Sequence, residues 1–284
     1  MKRLLCGLAV LGALAIVLFC REAANADFTI MPLGDDNTVG SPPGGYRTRL
    51  YSDLHNAGYS FTFVGTSTTN PSSLLSQAGQ THHEGHPAYT IDQIANNLDG
   101  NDPGPTPNNG GFWFHKPAPP NVILLQVGND EIPMHLPGSM AQRLDKLIGQ
   151  IVADSPTSLL FVSSILPTFH NPPIDNALVQ AYNARIKDVI VPKYKSLGDN
   201  VIFVDQYANF VDANGKIIHL QDQGMSPHAD QIGSDLEGDT WAAALQQAIP
   251  EPSSLVLLGL GVLLILLASG TRLRRPGRHL QRFA

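Results

Sequence analysis

Residues 121–128, NVILLQVG, constrain the fold more tightly than any other stretch. Val122, Ile123, Leu124, Leu125 and Val127 form an apolar run that only Gln126 interrupts, and Gly128 closes it. A strand without polar alternation is covered on both faces, which is the condition of a parallel strand flanked by helices. Residues 28–33 read the same way through Phe28, Ile30, Met31 and Leu33, with Gly34 as the break. Further strands are expected at 61–65 (FTFVG), 159–164 (LLFVSS) and 201–205 (VIFVD). Helices are expected between them at 47–57, 91–98, 140–154, 175–195 and 231–247. A Ser/Thr-rich stretch through Gln80 reads as loop. Residues 99–120 are dense in Gly, Pro and Asn, and are either mobile or a lid over a site. Strictly alternating strands and helices without an internal repeat predict a three-layer α/β/α sandwich with a mainly parallel sheet.

Both ends read as addresses rather than fold. Met1-Lys2-Arg3, an apolar stretch over 4–20 and Ala24-Asn25-Ala26 make a signal peptide over residues 1–26. Both cysteines, Cys6 and Cys20, fall within it, so the exported domain is expected to hold together without disulfides. At the other end, Pro250-Glu251-Pro252 precedes an apolar run over about 255–268 and a tail with Arg272, Arg274, Arg275 and Arg278. The run is somewhat short beside the ~20 residues that cross a bilayer comfortably. The arginines favour its cytoplasmic side.

This three-part order over residues 250–284 resembles the PEP-CTERM sorting signal. The resemblance implies export, transient retention in the inner membrane by the apolar segment, and processing by an exosortase. The destination would be the cell surface or the extracellular space. Residues 27–249 remain as one domain, with 10 basic and 22 acidic side chains and a net charge of −12. Such a balance argues against nucleic acid and anionic lipid as partners, and suits a polysaccharide or a small ester.

The loop that leaves the first strand, GDDNTVG over 34–40, stands where open α/β sheets place ligands. It resembles the first block of the SGNH (GDSL) hydrolases, Gly-Asp-Ser-x-Thr-x-Gly, with Asp36 in place of the serine. GGYRTRL, FTFVGTS, HHEGHPAYTIDQI, ILPT and QAYNARI extend the resemblance to the branch that contains acetylxylan esterases. The resemblance implies a flavodoxin-like sandwich and hydrolysis of ester bonds without a cofactor. In that family a serine attacks, a histidine takes its proton, and an aspartate three residues earlier orients the ring. The serine amide, a glycine amide and an asparagine side chain hold the oxyanion.

Carried over residue by residue, the pattern is degenerate. Asp36 fills the nucleophile position and Ala88 the second-block glycine. Asp130 falls at the oxyanion asparagine, with Asn129 one position away. His228 aligns with the catalytic base, while Met225 stands at the orienting acid and Asp222 lies three residues further back. A carboxylate at the oxyanion position would repel the charge the site must hold. Losing a nucleophile or an oxyanion donor costs roughly two to six powers of ten in rate. The expectation is therefore a family member impaired as a serine esterase. Two alternatives stay open: an ester hydrolase that uses His228 with Asn129 and a nearby hydroxyl, Thr38 or Ser41, and direct attack by Asp36 on carbon.

Three further groups invite chemistry. His82, His83, Glu84 and His86 crowd together, but Gly85 and Pro87 oppose the helix that a His-Glu-x-x-His metal site needs. They read as solvated loop residues or glycan contacts, and no metal site is expected. Asp35, the structural aspartate by resemblance, is expected to cap loop amides; with Asp36 and Asp130 it would bind a cation only if all three converge. Phe112, Trp113 and Phe114 are expected to pin the long loop to the domain, with stacking on sugars as the alternative.

Overall fold

The computed structural model describes residues 27–98, 113–114, 119–134, 140–222 and 227–249. Met225, Phe112, both terminal signals and most of the 99–120 loop lie outside the described residues. Asp27–Ala248 forms one unit. Its centre is β1 (Phe28–Gly34), which pairs in parallel with β2 (Phe61–Phe63) on one side and β4 (Val122–Gln126) on the other. β5 (Leu159–Ser163) and β6 (Val201–Val204) continue the sheet in the order β2-β1-β4-β5-β6, every pairing parallel. A two-residue β3 (Glu84–Gly85) joins the carboxyl end of β1. The order reverses at β1, so the β1 and β4 loops diverge there and open the crevice in which such sheets bind ligands.

All five residues of β4 are buried, as a doubly covered strand requires. Met31, Leu33, Ile123, Leu125, Leu160 and Val162 face one core. α4 (Ile91–Leu98), α5 (Met140–Asp154) and α6 (Pro172–Arg185) supply its other wall through Ile94, Leu147 and Val179. On the opposite face α2 (Gly45–Asn56) packs against α8 (Gln231–Ala248). Tyr46 and Trp241, both fully buried, meet there with ring centroids 6.0 Å apart. The remaining helices are short: α1 (Asp36–Val39), α3 (Ser73–Gln77) and α7 (Val191–Leu197).

Beyond the short α1 and β3, which form inside expected loops, the structure departs from the sequence expectations as follows. The helix expected over 175–195 begins three residues earlier, because Pro172 needs no amide partner in a first turn. It is also interrupted by a π-turn, Ile186–Ile190, just before Pro192. A proline inside a helix lacks its amide and crowds the preceding turn, and widening that turn accommodates both. The Ser/Thr-rich loop contains α3, capped by the Ser72 hydroxyl accepting from the Leu75 amide at 3.3 Å. Finally, β7 (Leu220–Asp222) and β8 (Pro227–Ala229) form a separate antiparallel pair that presents His228.

Among the described residues no helix is long and apolar enough to cross a membrane, and residues 255–268 lie outside them.

Gly34 fixes how closely β1 and β4 can end together: a Cβ there would lie 2.0 Å from the Gln126 carbonyl oxygen and 2.5 Å from Thr38 Oγ1. Gly34→Ala is expected to cost about 3 kcal/mol in urea unfolding, as an overpacked core does. Gly58→Ala, at a positive φ of 84° with open space around it, is expected to cost about 1 kcal/mol.

Candidate functional site

Asp35 and Asp36 stand at the end of β1, where Gly34 halts the strand. The buried Asp35 carboxylate accepts from the Asn37 amide at 3.3 Å and from the Gly128 amide at 3.2 Å. It thus caps α1 and ties the β1 loop to the β4 loop, the capping role expected of it. Burial, with Asp130 and Asp36 beside it, pushes its pKa well above the usual carboxylate range.

Asp36 opens α1 and is half-buried. Its Oδ2 accepts from the Ala88 amide at 3.4 Å. An amide at the second-block position therefore points at a carboxyl oxygen of the residue in the nucleophile position. Ala88 itself has φ of 60°, a left-handed conformation in which a Cβ is strained.

The fully buried Arg47, from the GGYRTRL stretch, holds α1 from below. Its guanidinium donates to the carbonyls of Thr38 (3.1 Å), Val39 (3.0 Å) and Thr81 (3.4 Å). Burial lowers its pKa to about 10, so it remains charged at neutral pH. Thr38, one of the two hydroxyls near the nucleophile position, is fully buried and lies under Gly34 beside the Tyr46 phenol.

Across the crevice, Asn129 is 1 % exposed and its oxygen and one N–H are engaged by structure. Nδ2 donates to the Leu166 carbonyl at 2.9 Å, and Oδ1 accepts from the Leu166 amide at 3.1 Å and from Asn37 Nδ2 at 3.3 Å. Asp130 is buried next to Asp35. His228 sits on β8, paired with Gln221 and brought against α1. Its Nδ1 is buried and has no hydrogen-bond partner among the described residues. Met225, at the orienting position, lies outside them. Asp230, two residues after His228, caps α8 by accepting from the Gly233 amide at 2.8 Å.

The His82–His86 cluster is mostly structural, a correction to its reading as solvated residues. His83 is fully buried: Nε2 faces the Thr69 carbonyl at 3.0 Å and Nδ1 accepts from the Gly85 amide at 3.0 Å. Burial lowers its pKa to about 3, with the Arg47 charge adding to the effect. Glu84, also buried, accepts from the amide and hydroxyl of Thr66 and pairs with His86 Nε2 at 2.9 Å. His86 stacks on Trp113 and on Tyr89, each with a centroid separation of 4.7 Å. Only His82 is exposed. Trp113 and Phe114 are buried, so they pin their segment to the domain as expected. Among the described residues no group of three His, Cys, Asp or Glu side chains is placed to hold a metal ion.

Three features were not foreseen. Glu131 receives the Ile91 amide at 2.8 Å and pairs with Arg143, fixing the β4 loop to α4 and α5. His170 and the buried Asp175 form an oriented pair, Nδ1 to Oδ2 at 2.6 Å, on the loop after β5. Glu237 of α8 is buried under the sheet, where it accepts from Gln126 Nε2 at 3.0 Å. Burial pushes its pKa from 4.5 up to about 8, so it is largely protonated at neutral pH.

Two outcomes follow. Ala88→Gly is expected to raise stability by about 1 kcal/mol in urea unfolding by relieving the left-handed alanine. For Glu237 the native state binds more protons than the unfolded chain between pH 4.5 and about 8. Its contribution is therefore complete below pH 4.5 and is lost as pH rises through 8, with a slope near 1.4 kcal/mol per pH unit inside that window. Urea titrations from pH 5 to 8 should show the native chain losing stability relative to Glu237→Gln by about that slope.

With this geometry in hand, comparison with known proteins gives a consistent picture. The chain is 28% identical over 235 residues to a multidomain esterase of Ruminococcus flavefaciens, covering 79% of this chain but only 29% of that protein. Among solved structures, a family 3 carbohydrate esterase of Clostridium thermocellum superposes with TM-score 0.59 at 29% identity, over 79% of this chain and 98% of that one. A family 3 carbohydrate esterase from Talaromyces cellulolyticus shares the fold with TM-score 0.59 at 19% identity, over 78% and 98% of the two chains. Residues 248–275 match the PEP-CTERM protein-sorting motif, which marks an exported protein sorted through its C-terminus. The domain thus has the α/β fold of the SGNH (GDSL-type) esterases, resembles family 3 carbohydrate esterases within that fold, and is followed by a PEP-CTERM sorting motif.

Proposed function

We propose that this protein is an exported glycan-binding relative of the carbohydrate esterases that has lost serine-type acyl transfer. In this reading residues 1–26 are the signal peptide, 27–249 the working domain, and 250–284 the sorting tail with its membrane segment near 255–268. An exosortase processes that tail. The domain then acts at the cell surface or in the surrounding matrix.

One observation carries the loss of mechanism: the Ala88 amide donates to the Asp36 carboxylate. Serine chemistry needs a hydroxyl at that place and amides free to receive charge that develops later. Here a carboxyl oxygen already occupies that amide, and Asp36 has no alcohol hydroxyl for a base to activate. His228 Nδ1 finds no hydrogen-bond partner among the described residues, and the sequence puts Met225 where the family has its orienting acid. Both support the same reading, because an imidazole needs such an acid to fix its tautomer and direction. Thr38, which a rearranged hydrolase would recruit, is fully buried, and Asn129 already commits one N–H and its oxygen to the Leu166 backbone. A glycan as ligand rests on the likeness to carbohydrate esterases and on the acidic charge of the domain.

Acetate release from acetylated xylan and from 4-nitrophenyl acetate tests the proposal with the full chain. The native protein is expected to match its His228→Ala variant at background, while both deplete from solution onto insoluble xylan. Asp36→Ser combined with Met225→Asp is expected to release acetate at least about a hundredfold above the native rate. Native turnover that His228→Ala abolishes would overturn the proposal.

A further inference from the structure

The candidate site leaves unused a cleft of about 470 Å³ between the first turns of α6 and the 3₁₀ turn Tyr207–Phe210. Its walls include Pro172, Asn176, Gln180, Tyr207 and Ile217, and among the described residues no charged side chain lines it. α6 follows β5 and the 3₁₀ turn follows β6. The cleft therefore opens at the carboxyl ends of the strands, on the same side of the sheet as Asp36. From this lining we infer that it is a subsite for one unit of a neutral polysaccharide chain, an inference that rests on the glycan-binding reading above.

The volume falls within the range of small-molecule sites, roughly 300–1,000 Å³. The lining has the chemistry that a pyranose presents: an aromatic ring for its C–H face, and amide and hydroxyl groups for its hydroxyls. The walls are also held in advance. The Tyr207 amide donates to Ser164 Oγ at 2.8 Å, and that hydroxyl donates to Asp205 Oδ1 at 3.2 Å. Gln180 Nε2 donates to the Tyr207 hydroxyl oxygen at 3.2 Å, while Tyr207 itself is half-buried against the main core. Asn176 grips the Thr168 backbone with two bonds of 2.8 Å and so fixes the wall beside Pro172. Gln180 is exposed, which leaves its Oε1 facing solvent; with the phenolic hydrogen of Tyr207 it gives an acceptor and a donor for sugar hydroxyls. A wall fixed before binding lowers the ordering cost that weakens most carbohydrate sites. The absence of charge in this lining, in a domain of net charge −12, selects a neutral chain over an acidic one.

The test is calorimetric titration of the full chain with xylohexaose, cellohexaose and mannohexaose. At least one is expected to bind, Tyr207→Ala to weaken it about tenfold, and Gln180→Ala about fivefold. Tyr207→Phe keeps the ring and is expected to stay within about threefold of native. Should Tyr207→Ala not fold, Gln180→Ala decides alone, because that side chain is exposed. A hexasaccharide that binds equally well to native, Tyr207→Ala and Gln180→Ala protein overturns this subsite and leaves the glycan-binding reading standing. No binding of any hexasaccharide to the native chain overturns the subsite, and absence of depletion onto xylan as well overturns the reading beneath it.

Discussion

One buried carboxylate joins the two loops on which the crevice depends. Asp35 receives the Gly128 amide from the β4 loop and the Asn37 amide from the start of α1. Gly34, the residue before it, lets the two strands end within contact of one another. Arg47 then secures the far end of α1 by its carbonyls. Each contact satisfies backbone groups that a sharp strand-to-helix turn would otherwise leave buried and unpaired. Asp36, Ala88 and His228 take their places around a frame set by these three residues.

That frame is independent of the nucleophile. Nothing in the capping by Asp35 or the grip of Arg47 requires a hydroxyl at position 36, so these contacts hold the loop whatever side chain stands there. The electrostatics move in one direction: Asp35, Asp36 and Asp130 gather acidic groups where a working esterase must accept a developing negative charge. Asp36 takes up the Ala88 amide with its own carboxyl oxygen.

The fold was legible because its signals are periodic and local. The unbroken apolar run of β4 and the amphipathic faces of α4 and α5 declare both their type and their covered sides. β7 and β8 carry no such run; each is three residues long and is defined only by its partner. The π-turn before Pro192 is likewise a response of the backbone, visible only once the helix is built. In the site, residue identities were readable and their commitments were not. His83 and Glu84 resemble chemistry in one dimension, yet Thr69 and Thr66 consume their polar atoms. Asn129 resembles an oxyanion donor, yet the Leu166 backbone takes one of its N–H groups and its oxygen. Glu237 looks like any polar residue of a surface helix, and only the approach of Gln126, 111 residues earlier, shows it buried. These contacts are long-range, and no spacing rule reports them.

The central claim is that no side-chain hydroxyl at the mouth of β1 acts as a nucleophile. Incubation of the full chain with a fluorophosphonate ester, followed by intact-mass measurement and peptide mapping, tests it directly. The expected result is an unmodified mass under conditions that label a serine esterase to completion. A single phosphonyl group mapped to Thr38 or Ser41 would contradict it.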